Sequence, residues 1–493
     1  MAAVLVQGEQ QVNDVHSALN PTWVRETIDV RSVGGIRSAL RRARRRGLPL
    51  SICGGRHAMG GQQFATDALL LDTRKMRRVL GFDRARGLVE AEAGIQWPEL
   101  IAWLRRVQQG EPNPWGVAQK QTGADDFTLG GSLSANIHGR GLAMRPFIGD
   151  IEAFSLVDAE GTVRRCSRTQ EVDLFRLAVG GYGLFGVIAS VTLRLAHVRK
   201  LRRVVDIIDL DALLPALAER IAAGHLYGDF QFAIDPHSEA FLRRGVLSSY
   251  QPLADATPMP ERQLSLGDQD WERLIHLAHT DKSAAFDRYA GFYLATSGQI
   301  YWSDTQQLST YLVGYHRRLD AQLGHRGSEE ITEIYVPRPA LVDFMAAAAA
   351  DFRAHGVDLI YGTVRLIRRD EESFLPWARQ DYACVIFNLH ACHSAAGKAH
   401  TAAALRRLIE MAIARDGSFY LTYHRHATRA QVARCYPGFR DFLAVKLVHD
   451  PQELFQSDWY RHYRNLFAQE PCHEGEQAQQ DRIGRRCQPG VSA

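Results

Sequence analysis

Two glycine-rich segments within the first 141 residues constrain this chain more than any other feature of its sequence. The first, GGRHAMGGQ at 54–62, lies between two short apolar runs that favour β-strands, and four of its first eight residues are glycines. Glycine adopts positive φ and lets a backbone approach a ligand closely, so successive N–H groups point into one concavity. Taken alone, this segment fits a pyrophosphate-binding loop and a surface turn equally well.

The second segment, GADDFTLGGSLSANIHGRG at 123–141, repeats this concentration of small residues. Core packing alone does not need so many small side chains, which let a backbone lie against a large planar or phosphorylated ligand. Two such segments in one small region predict a single extended cofactor held between them. The second segment therefore favours the ligand-loop interpretation of the first.

A third segment, GYGLFG at 181–186, matches the GxGxxG fingerprint of nicotinamide-binding proteins. That fingerprint requires a strand before it and a helix after it. Here VDLFRLAV at 172–179 favours a helix, and the β-branched run at 187–195 favours a strand. Because the order is inverted, NAD binding is not expected. The chain also lacks the GxxxxGK[ST] pattern of a phosphate-binding P-loop.

The charge balance argues against a nucleic-acid-binding protein. The 59 basic and 55 acidic residues leave a formal net charge of +4, too small for an electrostatic footprint. The densest basic run, from Arg37 to Arg46, keeps Ile36, Leu40 and Ala43 at helical spacing. This run therefore favours the solvated face of a surface helix over a polyanion site.

The seven cysteines are scattered and form no CxxC pair, which disfavours a disulfide framework or a structural zinc site. The neighbours Cys392 and His393 lack a second ligand cluster at fixed spacing, so no metal site is expected. The sequence shows no secretory signal pattern and no run of 18 apolar residues. We expect a cytoplasmic protein without a membrane span.

Alternating β-rich and helical segments predict an α+β protein of two domains. The glycine clusters end near residue 200, and beyond it strands at 331–337, 359–367 and 383–389 alternate with helices at 340–355 and 399–415. The predicted boundaries are 1–200 for the first domain, 201–419 for an α/β second domain, 420–470 for a segment returning to the first domain, and 471–493 for a polar, flexible tail.

Residues 20–200 resemble the FAD domain of the vanillyl-alcohol oxidase and p-cresol methylhydroxylase (PCMH) family. The resemblance rests on four segments in the same order and spacing: SICGGRHAMGGQ, GADDFTLGGSLSANIHGRG, DIEAFSLVDAEGTVRRCS and VGGYGLFGVIASVTLRL. It implies that the first loop wraps the FAD pyrophosphate, the second lines the flavin, and an α/β cap domain covers the flavin face. Within the family, the chain is most similar to aldonolactone, alditol and cytokinin oxidases and to decaprenylphosphoryl-ribose oxidase.

The resemblance also implies which residues hold the cofactor. His57 stands where members with covalent flavin carry a histidine bonded to the 8-methyl carbon, so a tether is expected, with ordinary hydrogen bonding as the alternative. A second link would need a cysteine within 123–141, where there is none. The expected FAD-binding residues are Gly54, Gly55, Arg56, His57, Ala58, Met59, Gly60, Gly61, Gln62, Gly123, Asp126, Thr128, Gly130, Gly131, Ser134, Asn136, His138, Gly139, Gly186, Val187 and Ile188.

Alcohol oxidation by a flavin also needs a group that takes the hydroxyl proton. Strand alternation places Glu333 on one face of ITEIYVP and Arg365 on one face of IYGTVRLI, with a cross-strand ion pair as the non-catalytic alternative. By resemblance, Arg365 corresponds to a basic residue near the substrate, and Tyr423 occupies the place of a lysine. Because an imidazole titrates near neutral pH, His424 or His426 is an alternative base. The expected catalytic residues are Arg365, Tyr423, His424 and Glu333.

The resemblance implies oxidation of a CH–OH group in a sugar, polyol, lactone or related alcohol by hydride transfer to flavin N5. Oxygen is the expected electron acceptor. The alternative is a dehydrogenase, or an oxidase paired with an epimerase, that uses another acceptor. The expected partners are therefore a small-molecule substrate and this acceptor, with no nucleic acid.

Overall fold

The computed structural model describes residues 9–309, 312 and 314–468. The tail expected at 471–493 lies outside the described residues. The strands are β1 Gln10–Val12, β2 Thr22–Val24, β3 Glu26–Asp29, β4 Leu50–Cys53, β5 Leu69–Asp72, β6 Val79–Asp83, β7 Leu88–Glu92, β8 Trp115–Val117, β9 Ile151–Val157, β10 Val163–Ser167, β11 Val187–His197, β12 Lys200–Asp209, β13 Tyr227–Phe232, β14 Arg244–Pro252, β15 Ile300–Trp302, β16 Gly327–Pro337, β17 Leu359–Ile367, β18 Tyr382–Cys392 and β19 Ser418–Phe419. The helices are α1 Val33–Arg46, α2 Trp97–Val107, α3 Leu129–Ala135, α4 Val172–Ala178, α5 Leu213–Ala222, α6 Asp268–Thr280, α7 Lys282–Ala295, α8 His316–Leu323, α9 Leu341–His355, α10 Ala395–Ile413, α11 Arg429–Cys435, α12 Phe439–His449 and α13 Asp458–Ala468.

Two larger sheets organise the N-terminal region of the described chain, beside a two-stranded sheet of β1 and β2. The strands β3, β5 and β4 form a parallel three-stranded sheet in that order. A larger antiparallel sheet has the order β10-β9-β11-β7-β6, and β8 pairs with the end of β11. The hairpin predicted from residues 151–166 is confirmed, because β9 and β10 pair antiparallel across the turn.

The arginine-rich run forms α1, as its apolar spacing predicts. Ser32 caps the first turn, and Gly47 ends the helix in the left-handed region at φ 59°. The buried face of α1 packs with residues of β4 and β5 in one hydrophobic cluster. On the opposite face, Arg42 and Arg46 both bond Glu26. The basic run is thus the polar face of a packed helix.

An eight-stranded antiparallel sheet dominates the chain beyond residue 200, with the order β15-β12-β14-β13-β17-β18-β16-β19 in the described residues. Its longest pairing joins β16 to β18 across all eleven residues of each strand. The helices α9 and α10 cover one face of this part of the sheet, where Phe344 and Phe352 pack on Phe387. The opposite face carries Glu333 and meets the N-terminal region at His138. The mixture of helices with largely antiparallel sheets confirms the α+β class.

The inverted context of GYGLFG is confirmed, because α4 precedes this segment and β11 follows it. Element ends differ slightly from the sequence prediction. The helix expected at 399–415 begins instead at Ala395, because the Ser394 hydroxyl accepts a hydrogen bond from the N–H of Gly397 and caps it there. Within the described residues, no helix is both long enough and apolar enough to cross a bilayer.

Candidate functional site

Both glycine-rich segments and one end of the eight-stranded sheet line a single cleft. Its empty volume is about 1250 Å³, part of which is open to solvent. Residues within 52–63, 121–137 and 182–188 form most of its wall, and Ile331 and Tyr423 close it from the other side. The cleft therefore lies between the N-terminal region and the sheet face that carries Glu333.

The first glycine loop begins where β4 ends and packs directly against the second loop. A Cβ on Gly54 would overlap the Thr128 hydroxyl, and a Cβ on Gly55 would overlap the carbonyl oxygen of Asp126. Any side chain at these two positions would force the loops apart. The glycines are thus required for the contact between the loops that shapes the cleft.

Thr128 connects this contact to the short helix α3. Its hydroxyl accepts a hydrogen bond from the N–H of Gly131 and so begins the helix. Gly130 in the same turn stands so close to Ala93 that a Cβ on it would lie 2.8 Å from the Ala93 Cβ. The small residues of the second segment therefore place the start of α3 at the cleft wall.

Several buried polar atoms on the cleft wall have no hydrogen-bond partner within the described protein. A buried polar group without a partner costs roughly 1–3 kcal/mol, so such atoms at a cleft wall point to a polar ligand. They include donors and acceptors, which suits a cofactor that carries phosphate, hydroxyl and ring-amide groups. The atoms are Arg56 Nε, Gln62 Oε1, Gln63 Oε1, Gln121 Oε1 and Thr122 Oγ1.

The structure brings most of the expected cofactor-binding residues together. Those that line the cleft are Gly54, Gly55, Arg56, His57, Ala58, Met59, Gln62, Gly123, Thr128, Gly130, Gly131, Ser134, Gly186 and Ile188. Those that do not line it are Gly60, Gly61, Asp126, Asn136, His138, Gly139 and Val187. Among these, the Asn136 amide donates to Asp370 and accepts from the N–H of Ile148, and Val187 is fully buried in a hydrophobic cluster. These two side chains hold the wall in place.

Sequence reasoning missed other cleft residues, notably His16, Gln63 and Tyr182. Tyr182 lies inside the GYGLFG segment at φ 53°, and its ring packs 4.7 Å from that of Trp459. The density of glycines in that segment was therefore a signal for the cleft, although not for NAD. His16 lies outside every motif, so no pattern in the sequence could have found it.

His57 forms a close pair with His16 at the cleft wall. The His57 Nδ1 and His16 Nε2 atoms are 3.0 Å apart, and the His57 ring lies 4.4 Å from that of Phe127. Burial, with the neighbouring His16, lowers the pKa of His57 to about 3. Burial likewise lowers the pKa of His16 to about 4. Both imidazoles are therefore neutral near pH 7, and one proton is shared between the two facing nitrogens.

Glu333 sits at the centre of a buried polar cluster next to Tyr423. Its Oε1 accepts a hydrogen bond from the Tyr423 hydroxyl at 2.7 Å. Its Oε2 accepts from the Tyr335 hydroxyl at 2.8 Å and lies 2.8 Å from Nε2 of His138. The Cys384 thiol lies 3.8 Å from the same oxygen. We call these five residues the Glu333 cluster.

The electrostatics of the cluster favour an ionised carboxylate. Burial alone would raise the pKa of Glu333, but His138 and the Tyr423 and Tyr335 hydroxyls outweigh it and lower the pKa to about 2. Burial raises the pKa of Tyr423 well above its usual value, and the Glu333 charge adds to this effect. The Tyr423 phenol is thus neutral, and it donates its hydroxyl hydrogen bond to the ionised Glu333. Nδ1 of His138 lies 2.9 Å from the Gly139 carbonyl oxygen, so both nitrogens of His138 face acceptor oxygens.

Arg365 lies on the same face of the sheet, directly opposite Cys384 in the β17–β18 register. It forms no ion pair with Glu333 in the described structure, so the cross-strand pair considered from the sequence is absent there. The side chain is 6% exposed, and its Nε and Nη1 atoms have no hydrogen-bond partner within the described protein. Arg365 is therefore a buried donor with unpartnered N–H groups, and it does not itself line the cleft.

His424 is placed apart from Glu333. Its Nε2 lies 3.8 Å from Glu330, which also bonds Nε2 of His426 at 3.0 Å. Strand alternation places Glu330 on the opposite side of β16 from Glu333. Burial lowers the pKa of His424, although Glu330 opposes this shift. Of the four expected catalytic residues, Glu333 and Tyr423 are brought into contact, Arg365 shares their sheet face, and His424 does not join them.

Comparison with known protein families accounts for the cleft. Residues 26–167 match the model of a family described as an FAD binding domain, and they include both glycine loops. Residues 26–167 therefore form a PCMH-type FAD-binding domain. FAD is therefore the cofactor of this cleft, as the resemblance of residues 20–200 implied, and the unpartnered polar atoms of its wall fit that ligand.

Curated relatives agree with the family. L-gulonolactone oxidase from Mus musculus is 32% identical over 164 residues, which cover 33% of this chain and 35% of the relative. L-galactono-1,4-lactone dehydrogenase 1, mitochondrial, from Oryza sativa subsp. japonica is 34% identical over 120 residues, 24% of this chain and 19% of the relative. Cytokinin dehydrogenase 9 from the same plant is 29% identical over 171 residues, 33% of this chain and 31% of the relative. The matches to the two L-gulonolactone oxidases of mouse and Bos taurus span 35% and 45% of their lengths.

Proposed function

We propose that the chain is an FAD-dependent oxidoreductase that oxidises a CH–OH group of a sugar, polyol, lactone or related alcohol. The observation that carries this proposal is the position of Tyr423, whose ring lines the FAD cleft while its hydroxyl donates to buried Glu333. A chain of proton-carrying groups thus begins at the cleft wall. In this proposal residues 1–200 bind FAD, 201–419 cap it, and 420–470 return to the first domain.

Bound FAD supplies the hydride acceptor. The Tyr423 hydroxyl gives its hydrogen bond to Glu333, which leaves its oxygen as the acceptor for a substrate hydroxyl. As the substrate C–H bond breaks, that hydroxyl becomes strongly acidic. Its proton passes to the Tyr423 oxygen while the Tyr423 proton passes to Glu333. Because the hydroxyl is so acidic at that moment, a carboxylate with a low pKa suffices as the final acceptor.

Arg365 and His424 take different parts in this proposal. The unpartnered donors of Arg365 suit a ring, carbonyl or hydroxyl oxygen of the substrate, since charge-assisted hydrogen bonds from arginine are strong and directional. Arg365 therefore orients the substrate. A catalytic part for His424 stays a prediction, and its contact with Glu330 gives it no path to Glu333.

The relatives suggest where to begin with substrates and acceptors. Their names include a gulonolactone oxidase, a galactonolactone dehydrogenase and a cytokinin dehydrogenase, so an aldonolactone is the first candidate. Oxygen is the first candidate acceptor, and a quinone or dye acceptor is the second, because both oxidases and dehydrogenases occur among these names. The cytoplasmic location expected from the sequence stays a prediction.

Anaerobic reduction of the bound flavin tests the proposed function. The purified yellow protein is mixed with aldonolactones, alditols, aldoses and cytokinins, and flavin absorbance is followed in the absence of oxygen. We expect bleaching by at least one sugar-type substrate, and admission of oxygen then tests for hydrogen peroxide. The proposal is wrong if no alcohol bleaches a flavin that a chemical reductant does bleach.

We also propose that His57 is bonded to FAD. Its ring lines the cleft, and burial keeps its imidazole neutral, the form in which a ring nitrogen is nucleophilic. Acid denaturation should leave flavin on the wild-type chain and release it from His57→Ala. The matched variant His16→Ala, which alters the other histidine of the pair, should retain the flavin. Release of flavin from the denatured wild-type chain would contradict the tether.

A further inference from the structure

Three side chains from distant parts of the sequence converge at one end of the eight-stranded sheet. Glu329 on β16 lies directly opposite His390 on β18 in the strand register. His279, at the end of α6, lies over them, with its ring centroid 4.8 Å from that of His390. The three side chains are only 1%, 7% and 6% exposed for His279, Glu329 and His390. They therefore form a buried group of two imidazoles and one carboxylate.

The facing atoms of this group make no hydrogen bond of good geometry within the described protein. They are Nε2 of His279, Oε1 of Glu329 and Nδ1 of His390. The Glu329 oxygen lies 3.2 Å from the His279 nitrogen and 3.7 Å from the His390 nitrogen, and all three atoms lie within 4.8 Å of one another. Ligand atoms about 2.0–2.2 Å from a tetrahedral ion stand about 3.3–3.6 Å apart. The observed spacing is close to that of ligands around one ion.

The hydrogen bonds of His390 fix which of its nitrogens carries the proton. Nδ1 of His325 lies 3.2 Å from the Leu323 carbonyl oxygen and must donate to it. The other nitrogen of His325 lies 2.9 Å from Nε2 of His390 and, in a neutral ring, must accept from it. Nδ1 of His390 is then a bare lone pair that faces a carboxylate oxygen. Two lone pairs that face each other in a buried site repel each other, and a cation between them would remove this repulsion.

The second oxygen of Glu329 is held by other groups. It lies 2.9 Å from Nε2 of His316 and accepts the hydroxyl hydrogen bond of Tyr315. This leaves Oε1 turned toward His279 and His390. Partners that fix the orientation of a ligating carboxylate or imidazole are the usual surroundings of a protein metal ion.

Two other groups of similar composition in the described residues do not share these properties. In the Glu333 cluster, the His138 nitrogen and the carboxylate are already hydrogen-bonded at 2.8 Å. In the group of Glu330, His424 and His426, the His426 nitrogen is bonded to the carboxylate at 3.0 Å. In each of these groups a proton already joins an imidazole to the carboxylate.

We propose that His279, Glu329 and His390 bind a divalent first-row transition metal ion, for which Zn²⁺ is the probe. Two imidazoles and one carboxylate are a common ligand set for such ions, and they leave coordination positions open. Alternation places Glu329 on the same side of β16 as Ile331, which lines the FAD cleft. The sequence predicted no metal site because its ligands are 50 and 61 residues apart in the chain and form no motif.

Metal analysis of the full chain, produced without a polyhistidine tag, tests this site. The holoprotein is treated with a chelator, dialysed and titrated with ZnCl₂ by calorimetry. We expect one tight site per chain in the wild type. Loss of an outer partner of a metal ligand typically costs about 10–100-fold in affinity, so His279→Ala and His390→Ala should each weaken binding by at least about 100-fold. The control His276→Ala changes a histidine on the same helix whose ring lies 3.4 Å from the Thr280 hydroxyl, and it should bind as the wild type does.

Flavin absorbance and the unfolding midpoint show whether each variant is folded. If a ligand variant does not fold, Co²⁺ substitution of the wild type decides, because tetrahedral nitrogen and oxygen coordination gives intense visible bands and surface-bound Co²⁺ gives weak octahedral ones. The proposal is overturned if the wild type binds no tight Zn²⁺ and shows only weak cobalt bands. It is equally overturned if folded His279→Ala and His390→Ala bind Zn²⁺ as tightly as the wild type.

Discussion

The FAD cleft and the Glu333 cluster meet at Tyr423, but the cleft is formed by residues close in sequence and the cluster by residues far apart. The cleft comes from short stretches of neighbouring residues, whose glycines allow two loops to touch. The cluster takes its five side chains from four segments around residues 138, 333, 384 and 423, brought together by strand register and by a returning segment. A cofactor site of the first kind is visible in sequence spacing, whereas a proton-handling site of the second kind becomes visible only in the fold.

Replacing Tyr423 by Phe tests whether the two regions act together. The variant removes the hydroxyl that joins the cleft to Glu333, and we expect flavin reduction by substrate to slow by about 10²–10⁴-fold, the range of general acid–base catalysis. Tyr335→Phe removes another hydroxyl from Glu333, but one that does not line the cleft. Stopped-flow reduction should be much less affected in that control. Equal rates of flavin reduction in both variants would contradict proton transfer through Tyr423.

A double-mutant cycle on Glu333 and His138 tests the interior of the cluster. Breaking a buried ion pair by removing one partner typically costs about 3–5 kcal/mol of stability, so Glu333→Gln and His138→Asn should each lower the free energy of unfolding by that order. Urea unfolding of both single variants and the double variant measures the coupling, which we expect at about 0.5–3 kcal/mol. Strict additivity would show that the two side chains do not stabilise each other.

Gly54→Ala tests the cleft by itself. The new Cβ would overlap the Thr128 hydroxyl, and overpacking of this kind typically costs about 1–3 kcal/mol. We expect a chain that retains its sheets but holds flavin poorly, measured as the ratio of flavin to protein absorbance after gel filtration. Gly81→Ala is the matched control, since a Cβ there meets nothing within 4 Å. Full flavin retention in Gly54→Ala would contradict the packing of loop on loop.

The two regions should also differ in the pH at which they lose folding stability, although this effect is smaller than the preceding ones. The pKa of His16 falls from 6.5 to about 4 on folding, because burial opposes its charge. The unfolded chain therefore binds more protons below pH 6.5, and this group destabilises the fold by about 1.4 kcal/mol per pH unit as pH falls toward 4. Glu333, with its pKa lowered from 4.5 to about 2, contributes stability that is lost only below about pH 4.5.

Urea unfolding at pH 7 and pH 5 measures this difference. His16→Asn should lose less stability over that interval than the wild type, by about 2 kcal/mol. His237→Asn, which changes an exposed histidine, should behave as the wild type does. An unchanged pH dependence in His16→Asn would place the acid-sensitive groups elsewhere.

The FAD domain could be predicted from the sequence because its motifs are local patterns of neighbouring residues. Glycine spacing, the helical spacing of the run at 37–46 and the β-branched run at 187–195 each reflect interactions between near neighbours in the chain. The match of residues 26–167 to an FAD binding domain confirms the cofactor. The same reasoning left His16 out of the cleft, because its contact with His57 depends on how distant segments fold together.

The substrate side was predictable only in part. Alternation placed Glu333 and Arg365 on faces of their strands, and the register of β16, β17 and β18 puts both on the same face. It could not show that His138, which was expected to bind the cofactor, contacts Glu333. Nor could it show that His424 contacts Glu330. Glu330 points to the opposite side of β16 from Glu333, because side chains alternate along a strand.

The contact between His138 and Glu333 also constrains how the molecule can move. His138 belongs to the FAD-binding region and Glu333 to the eight-stranded sheet, so a buried hydrogen-bonded pair spans the junction between them. A hinge that opened this junction would take a partner from the buried Glu333 carboxylate, at a cost of several kcal/mol. In the proposed function, substrate must therefore reach Tyr423 without separating the two halves, and heating should melt both halves in one cooperative transition.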